Sequence, residues 1–166
     1  WNALAQTQAG KSVLGTSSKI SGANLYSRLN YWIVACGGQA IANPPALQGV
    51  EAPTEAVITL TPTKFTFELE GEPEGVENLK LIVQASAPQS NGVTRAYSKA
   101  VQIGGPLEAV TEEYDLKKDY DEKHGVPNAA SPKVFIKYFF VNTVTGEKSG
   151  EMLVLATLQE DQPAGE

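Results

Sequence analysis

Three sets of residues in this sequence have types and spacings that could do chemistry. The first is Ala5-x-x-x-x-Gly10-Lys11-Ser12, a relaxed form of the phosphate-binding loop with alanine at its first position. Phosphate binding there needs a buried strand before the loop and a helix directly after it, so that backbone amides and the helix N-terminus face the anion. Only four residues precede Ala5, and Val13-Leu14-Gly15-Thr16-Ser17-Ser18 is a poor helix start. No nucleotide cofactor is expected. The second set is Asp115, Asp119, Asp121, Glu122 and His124, an oxygen-rich run of the kind that suits calcium. It lacks the spacing of an EF-hand loop, and Lys117, Lys118 and Lys123 dilute its charge. A solvated helical turn is the reading, with no metal, and with His124 near a helix C-terminus that favours the imidazolium. The third set centres on His124, the only histidine, which any Ser-His-Asp or Cys-His arrangement would have to use. No G-x-S-x-G elbow occurs, and the single cysteine, Cys36, falls on an apolar helix face, where a structural thiol is the default. Nineteen carboxylates show no spacing that selects a glycosidase pair. The expectation is a protein with no catalytic residue, no cofactor and no metal, and not an enzyme.

The elements that would position such residues divide at Pro44-Pro45. Before that break lie Lys11, Lys19 and Arg28 and no acidic residue; after it lie ten basic and nineteen acidic residues. The charges are therefore +3 and −9, within a total of −6. Residues 1–45 read as an N-terminal arm with one amphipathic helix over about 21–36. Residues 46–166 read as an antiparallel β-sandwich of the immunoglobulin type with a polar C-terminal tail. Trp1 to Gln8 reads as the tail of a first helix, and Lys11 to Leu14 as a short extended piece. Ser21 is the expected N-cap of the amphipathic helix. Leu25, Leu29, Trp32, Ile33 and Cys36 fall on one face, and Gly37-Gly38 supplies the stop. Asn43-Pro44-Pro45 then forces an extended connector.

In the second part, Val57 to Leu60 form a first strand. Phe65, Phe67 and Leu69 alternate with Lys64, Thr66, Glu68 and Glu70, a half-buried strand. Further strands are read at Leu79–Ala85, Tyr97–Ile103 and Leu107–Tyr114, then a helical turn over Asp115–His124 stopped by Gly125. Val134 to Val141 is apolar on both faces, which marks a central strand with one face on the core and the other partly covered. A hairpin loop at Asn142–Gly146 leads to a return strand near Gly150–Leu158. About seven strands with frequent turn signals and no βαβ alternation give the sandwich reading. The core candidates are Ile58, Leu60, Phe65, Phe67, Leu69, Leu81, Val83, Val101, Ile103, Phe135, Phe139, Leu153 and Leu155.

Composition narrows the function classes. One cysteine excludes an intrachain disulfide, and no N-x-S/T sequon is present. The longest apolar run with aromatics, Tyr31 to Cys36, is far too short to span a bilayer. No signal peptide is visible at the start, and a chain that begins at Trp1 reads as processed or partial. The net acidity argues against nucleic acid as a partner, and three arm cations are too few for a nucleic-acid footprint. Trp1, Tyr26, Tyr31 and Trp32 gather in the arm beside Arg28. They suit docking, either onto the sandwich or onto a neighbouring protein subunit. The interaction residues read from the helix are Leu25, Arg28, Leu29, Trp32 and Ile33.

The pieces Trp1-Asn2-Ala3-Leu4-Ala5, Ser21-Gly22-Ala23-Asn24-Leu25-Tyr26-Ser27-Arg28-Leu29-Asn30 and Pro44-Pro45 resemble a group of structural proteins of tailed bacteriophages and prophages. Ala85-Ser86-Ala87-Pro88-Gln89-Ser90, Tyr120-x-x-x-x-Gly125 and Val141-Asn142-x-x-x-Gly146 fit the same pattern. The resemblance implies an immunoglobulin- or fibronectin-like sandwich in a virion component: a head decoration, head fibre or tail-associated protein in an oligomeric assembly. It carries no active site. The alternative is an extracellular or cell-surface adhesion module that binds glycan or protein through sandwich loops.

Overall fold

The computed structural model describes residues 1–11 and 17–161. The expected extended piece from Lys11 to Leu14 therefore lies mostly outside the described residues, as do Gly15 and Thr16. The chain opens with α1 (Asn2–Thr7), followed by β1 (Ala9–Lys11), which pairs antiparallel with β2 (Ser17–Lys19). Next comes α2 (Gly22–Ala35). The Ser21 hydroxyl caps it, accepting from the Asn24 amide at 3.1 Å. It ends in a Schellman turn: the Gly37 amide donates to the Val34 carbonyl and the Gly38 amide to Ile33. Both boundaries match the sequence reading to within a residue.

After the connector the described chain is mainly β, with two further antiparallel sheets. A three-stranded sheet has the order β3 (Ala56–Leu60), β4 (Phe65–Leu69), β8 (Tyr114–Asp115). A five-stranded sheet runs β10 (Met152–Thr157), β9 (Lys133–Asn142), β5 (Leu79–Ala85), and β5 then pairs β6 (Val101–Gln102) at one end and β7 (Leu107–Glu108) at the other. α3 (Lys117–His124) closes one end. The inner faces of the two sheets share one core. Phe65, Phe67 and Leu69 meet Leu81, Val83, Ile136, Tyr138 and Phe140 there. Phe67 and Tyr138 pack edge to face at 5.0 Å. Each buried large apolar side chain of this kind contributes about 1.5–3 kcal/mol.

β9 is the central strand that its two apolar faces predicted, paired with β10 over Lys133–Tyr138 and with β5 over Ile136–Asn142. Its outer-face residues are buried by different covers. Tyr97 packs on Phe135 at 5.1 Å, and Trp32 of α2 packs on Phe139 at 5.3 Å.

Several expectations fail on the return strands. Val101, Leu153 and Leu155 were core candidates, but they are 42%, 44% and 43% exposed. The β9–β10 register places Met152 opposite Tyr138 and Val154 opposite Ile136, so the even-numbered residues of β10 face the core. The single strand read over Tyr97–Ile103 is a 3-10 turn (97–99) followed by the two-residue β6. Leu107–Tyr114 divides between sheets, with β7 in one and β8 in the other. In both places tertiary demand overrides strand propensity: Tyr97 turns out of the ladder to cover Phe135.

Candidate interaction surface

Every interaction residue read from the sequence lies on α2, but α2 spends most of them inside this chain. Leu25 and Leu29 pack with Ala5 and the partly buried Trp1, Leu4, Ile20 and Leu47. Ile33 is also buried. Trp32 and Cys36 cover Ile82, Phe139 and Val141 on the outer face of the five-stranded sheet. Of the five, only Arg28 is exposed, and it has no ion-pair partner among the described residues. The apolar face expected to bury itself against a neighbour is therefore occupied by the chain's own α1, connector and sheet.

Polar contacts the sequence did not signal fasten the arm. Asn30 is buried on α2; its amide nitrogen donates to the carbonyls of Tyr26 (3.1 Å) and Ile41 (3.3 Å), and its oxygen accepts from the Ile41 amide at 2.6 Å. The Trp1 indole donates to the Ala42 carbonyl at 2.7 Å. Glu147 accepts from the Gln48 and Gly49 amides at 3.2 and 3.0 Å. These groups satisfy a connector that joins no sheet. Gly146 sits directly beneath α2 with φ +73°, and a Cβ there would lie 2.1 Å from the Leu29 carbonyl oxygen. Lys148 places its ammonium 3.9 Å from the centre of the Phe139 ring and pairs with Glu151, holding that carboxyl below the usual range.

Between α2, the connector and the β9–β10 loop lies a cleft of about 330 Å³, lined in part by Arg28, Trp32, Leu47, Val50, Glu147 and Lys148. Among the described residues its only carboxylate, Glu147, is committed to two backbone amides and the Thr145 hydroxyl. The cleft thus offers two cationic groups and an aromatic edge, and no free acid–base pair.

The other sets singled out in the sequence are not brought together. Ala5 lies within α1 and Gly10-Lys11 within the β1–β2 hairpin, so the strand–loop–helix context of a phosphate loop is missing at those residues; Ser12 lies outside the described residues. Around α3, Asp115 caps the Lys117 amide, Asp121 pairs with Lys117 and Glu122 with Lys118. Among the described residues no group of three or more His, Cys, Asp or Glu is arranged to hold a metal ion. His124 departs from the expected protonated helix end. Burial pushes its pKa down, Lys123 adds to that, and the Ala85 backbone opposes it. Burial pushes the Cys36 thiol up, against the pull of Lys80.

What remains outward on α2 is a stripe of Ala23, Ser27, Tyr31 and Val34, spaced at helical intervals and all exposed, with Tyr31 at 62% and Val34 at 55%. Arg28 is the only charged residue in the helix. A solvent-facing helix normally carries charge along such a face. No protein-family model matches the sequence, and a comparison with curated proteins found no match. No helix among the described residues is long and apolar enough to cross a membrane.

Proposed function

We propose that this protein is a non-enzymatic structural subunit of an assembled particle, with an N-terminal arm (1–45) laid on an immunoglobulin-like sandwich (46–166). The carrying observation is the α2 stripe: exposed tyrosine and valine on a helix with one charge, seated on the outer face of the five-stranded sheet. Exposed Tyr31 and Val34 on an uncharged helix face support a contact with another protein. The arm's role differs from the one its apolar periodicity suggests. Leu25 and Leu29 fix the helix to α1 and the connector and Trp32 fixes it to the five-stranded sheet, and the opposite side of the helix meets the neighbour. That the particle is a tailed-phage virion, with the chain as a head decoration, head fibre or tail-associated protein, rests on the sequence resemblance alone. The test is fractionation of a lysate from a phage that carries the gene. The chain should sediment with particles and cross-link through the arm to a virion protein. Recovery wholly in the soluble fraction, with no cross-link to a virion protein, would refute the reading.

A further inference from the structure

We infer that two copies of this chain pair edge to edge through β10, antiparallel and about a two-fold axis at Leu155, so that their five-stranded sheets run on into one another. This contact is independent of the α2 stripe and of the particle reading. β10 is an outermost strand: among the described residues it pairs with β9 alone. Which of its backbone groups stay open follows from the ladder. The Leu158 amide donates to the Pro132 carbonyl, one step past the Thr157–Lys133 pair. Hydrogen-bonded positions alternate along an antiparallel ladder. Met152, Val154 and Ala156 therefore bond β9, and Leu153, Leu155 and Thr157 turn their N–H and C=O groups out of the sheet. None of those groups has a backbone partner among the described residues. Both ends of the open stretch are closed. The Ser149 amide bonds the Phe140 carbonyl while Met152 lies opposite Tyr138, so Gly150 and Glu151 bulge opposite Phe139. At the other end the Gln159 amide, on the same side of the strand, bonds the Leu60 carbonyl of β3.

Donors and acceptors turned outward at strand spacing fit another extended strand. Exposed edges are ordinarily blunted by charge, proline or a bulge. Met152 to Leu158 holds no charged residue and no proline, and the bulge stops short of it. Its outer-face side chains add Leu153 and Leu155, both exposed. The open stretch is centred on Leu155, and that symmetry points to a second copy. An antiparallel partner with the axis there sets Leu155 opposite its own copy, and Leu153 opposite Thr157 in both directions. All three are hydrogen-bonded pairs, and every open group is used. On the core side Val154 meets Ala156. The nearest charge, Glu151, falls level with Gln159 and is already paired with Lys148 and Lys137. No like charges face each other. A contact built on a two-fold axis is isologous and closes at the dimer. A paired stretch about 17 Å long buries well under the roughly 800 Å² per partner of a standard interface, so the dimer is weak.

Sedimentation velocity and amide exchange on the full chain test this. Mass should level at the dimer between micromolar and millimolar concentration. Added salt should strengthen the contact, because it holds no ion pair across the axis and each copy carries a net charge of −6. Exchange then reads the pairing residue by residue. In the dimer the amides of Leu153, Leu155 and Thr157 should slow at least tenfold, while those of Met152, Val154 and Ala156 are already protected by β9 in the monomer. Leu155→Pro removes an N–H that β9 does not use, so melting temperature should hold while association falls at least tenfold. Leu155→Lys keeps the backbone and puts like charges opposite each other across the axis, with the same result. A chain that stays monomeric at millimolar concentration overturns self-pairing and leaves the edge to a strand of another protein. A dimer whose newly protected amides are not those three, or one that survives both substitutions, overturns the pairing outright.

Discussion

Gly146→Ala measures how firmly the arm is fastened. Gly146 holds φ +73° in the β9–β10 loop, its amide donating to the Asn142 carbonyl. An added Cβ would lie 2.1 Å from the Leu29 carbonyl oxygen and 2.6 Å from its carbon. That is backbone inside α2, with no rotamer to yield, so α2 must lift off the sheet. Lifting it opens the Trp32–Phe139 contact. Losing about one large side chain's burial and its edge-to-face packing costs about 2–4 kcal/mol. The left-handed strain of alanine adds about 1–2 kcal/mol. Gly37 provides an internal reference: it has φ +85° at the end of α2, and nothing lies within 4 Å of its Cβ position. Gly37→Ala should therefore cost only the strain. Urea unfolding of both variants gives the difference, expected at about 2–4 kcal/mol against a total stability near 5–15. Both tryptophans, Trp1 and Trp32, lie in the arm, so native fluorescence should shift to the red in Gly146→Ala and hold in Gly37→Ala. Equal costs within about 0.5 kcal/mol, with unshifted fluorescence, would refute the arm's seating on this loop.

Two further outcomes follow from the core. Burial, with Glu55 and Glu70 nearby, pushes the Tyr138 phenol up to about 12, while its hydroxyl donates to the Thr54 carbonyl at 2.9 Å. The unfolded chain loses this proton first, from its ordinary value near 10, so stability holds below pH 10 and falls by about 1.4 kcal/mol per pH unit between about 10 and 12. Tyr138→Phe should make that alkaline decline shallower by one proton in urea titrations, and an unchanged slope would count against it. The buried Ser86 and Ser149 hydroxyls accept from the Phe135 and Phe140 amides at 3.0 and 2.9 Å. Alanine at either position strands a buried amide and should cost about 1–3 kcal/mol. Cysteine at the same position, a weaker acceptor of similar size, should recover part of it.

The sequence alone determined the elements whose signals are local. Ser21 and Gly37-Gly38 bound α2 because caps and stops act within one turn. The Phe65-Phe67-Leu69 alternation set the buried face of β4, because the period of a strand is fixed by the pleat. The two apolar faces of Val134–Val141 announced a central strand with one face on the core and some cover on the other. What covers it was not legible. Trp32, 107 positions before Phe139, and Tyr97, 38 before Phe135, are the lids, and no local pattern encodes such a distance. The apolar stripe of α2 said that this face would be buried and was silent on whether its own sheet or a neighbour would bury it, since apolar burial is non-directional. The β9–β10 register likewise decided which side of Met152–Thr157 met the core, because an unbroken apolar run has no period of its own. The candidate surface followed from that tertiary choice. Only after Leu25, Leu29, Trp32 and Ile33 were spent inside did Tyr31 and Val34 stand out as the exposed large side chains on the opposite face of the helix.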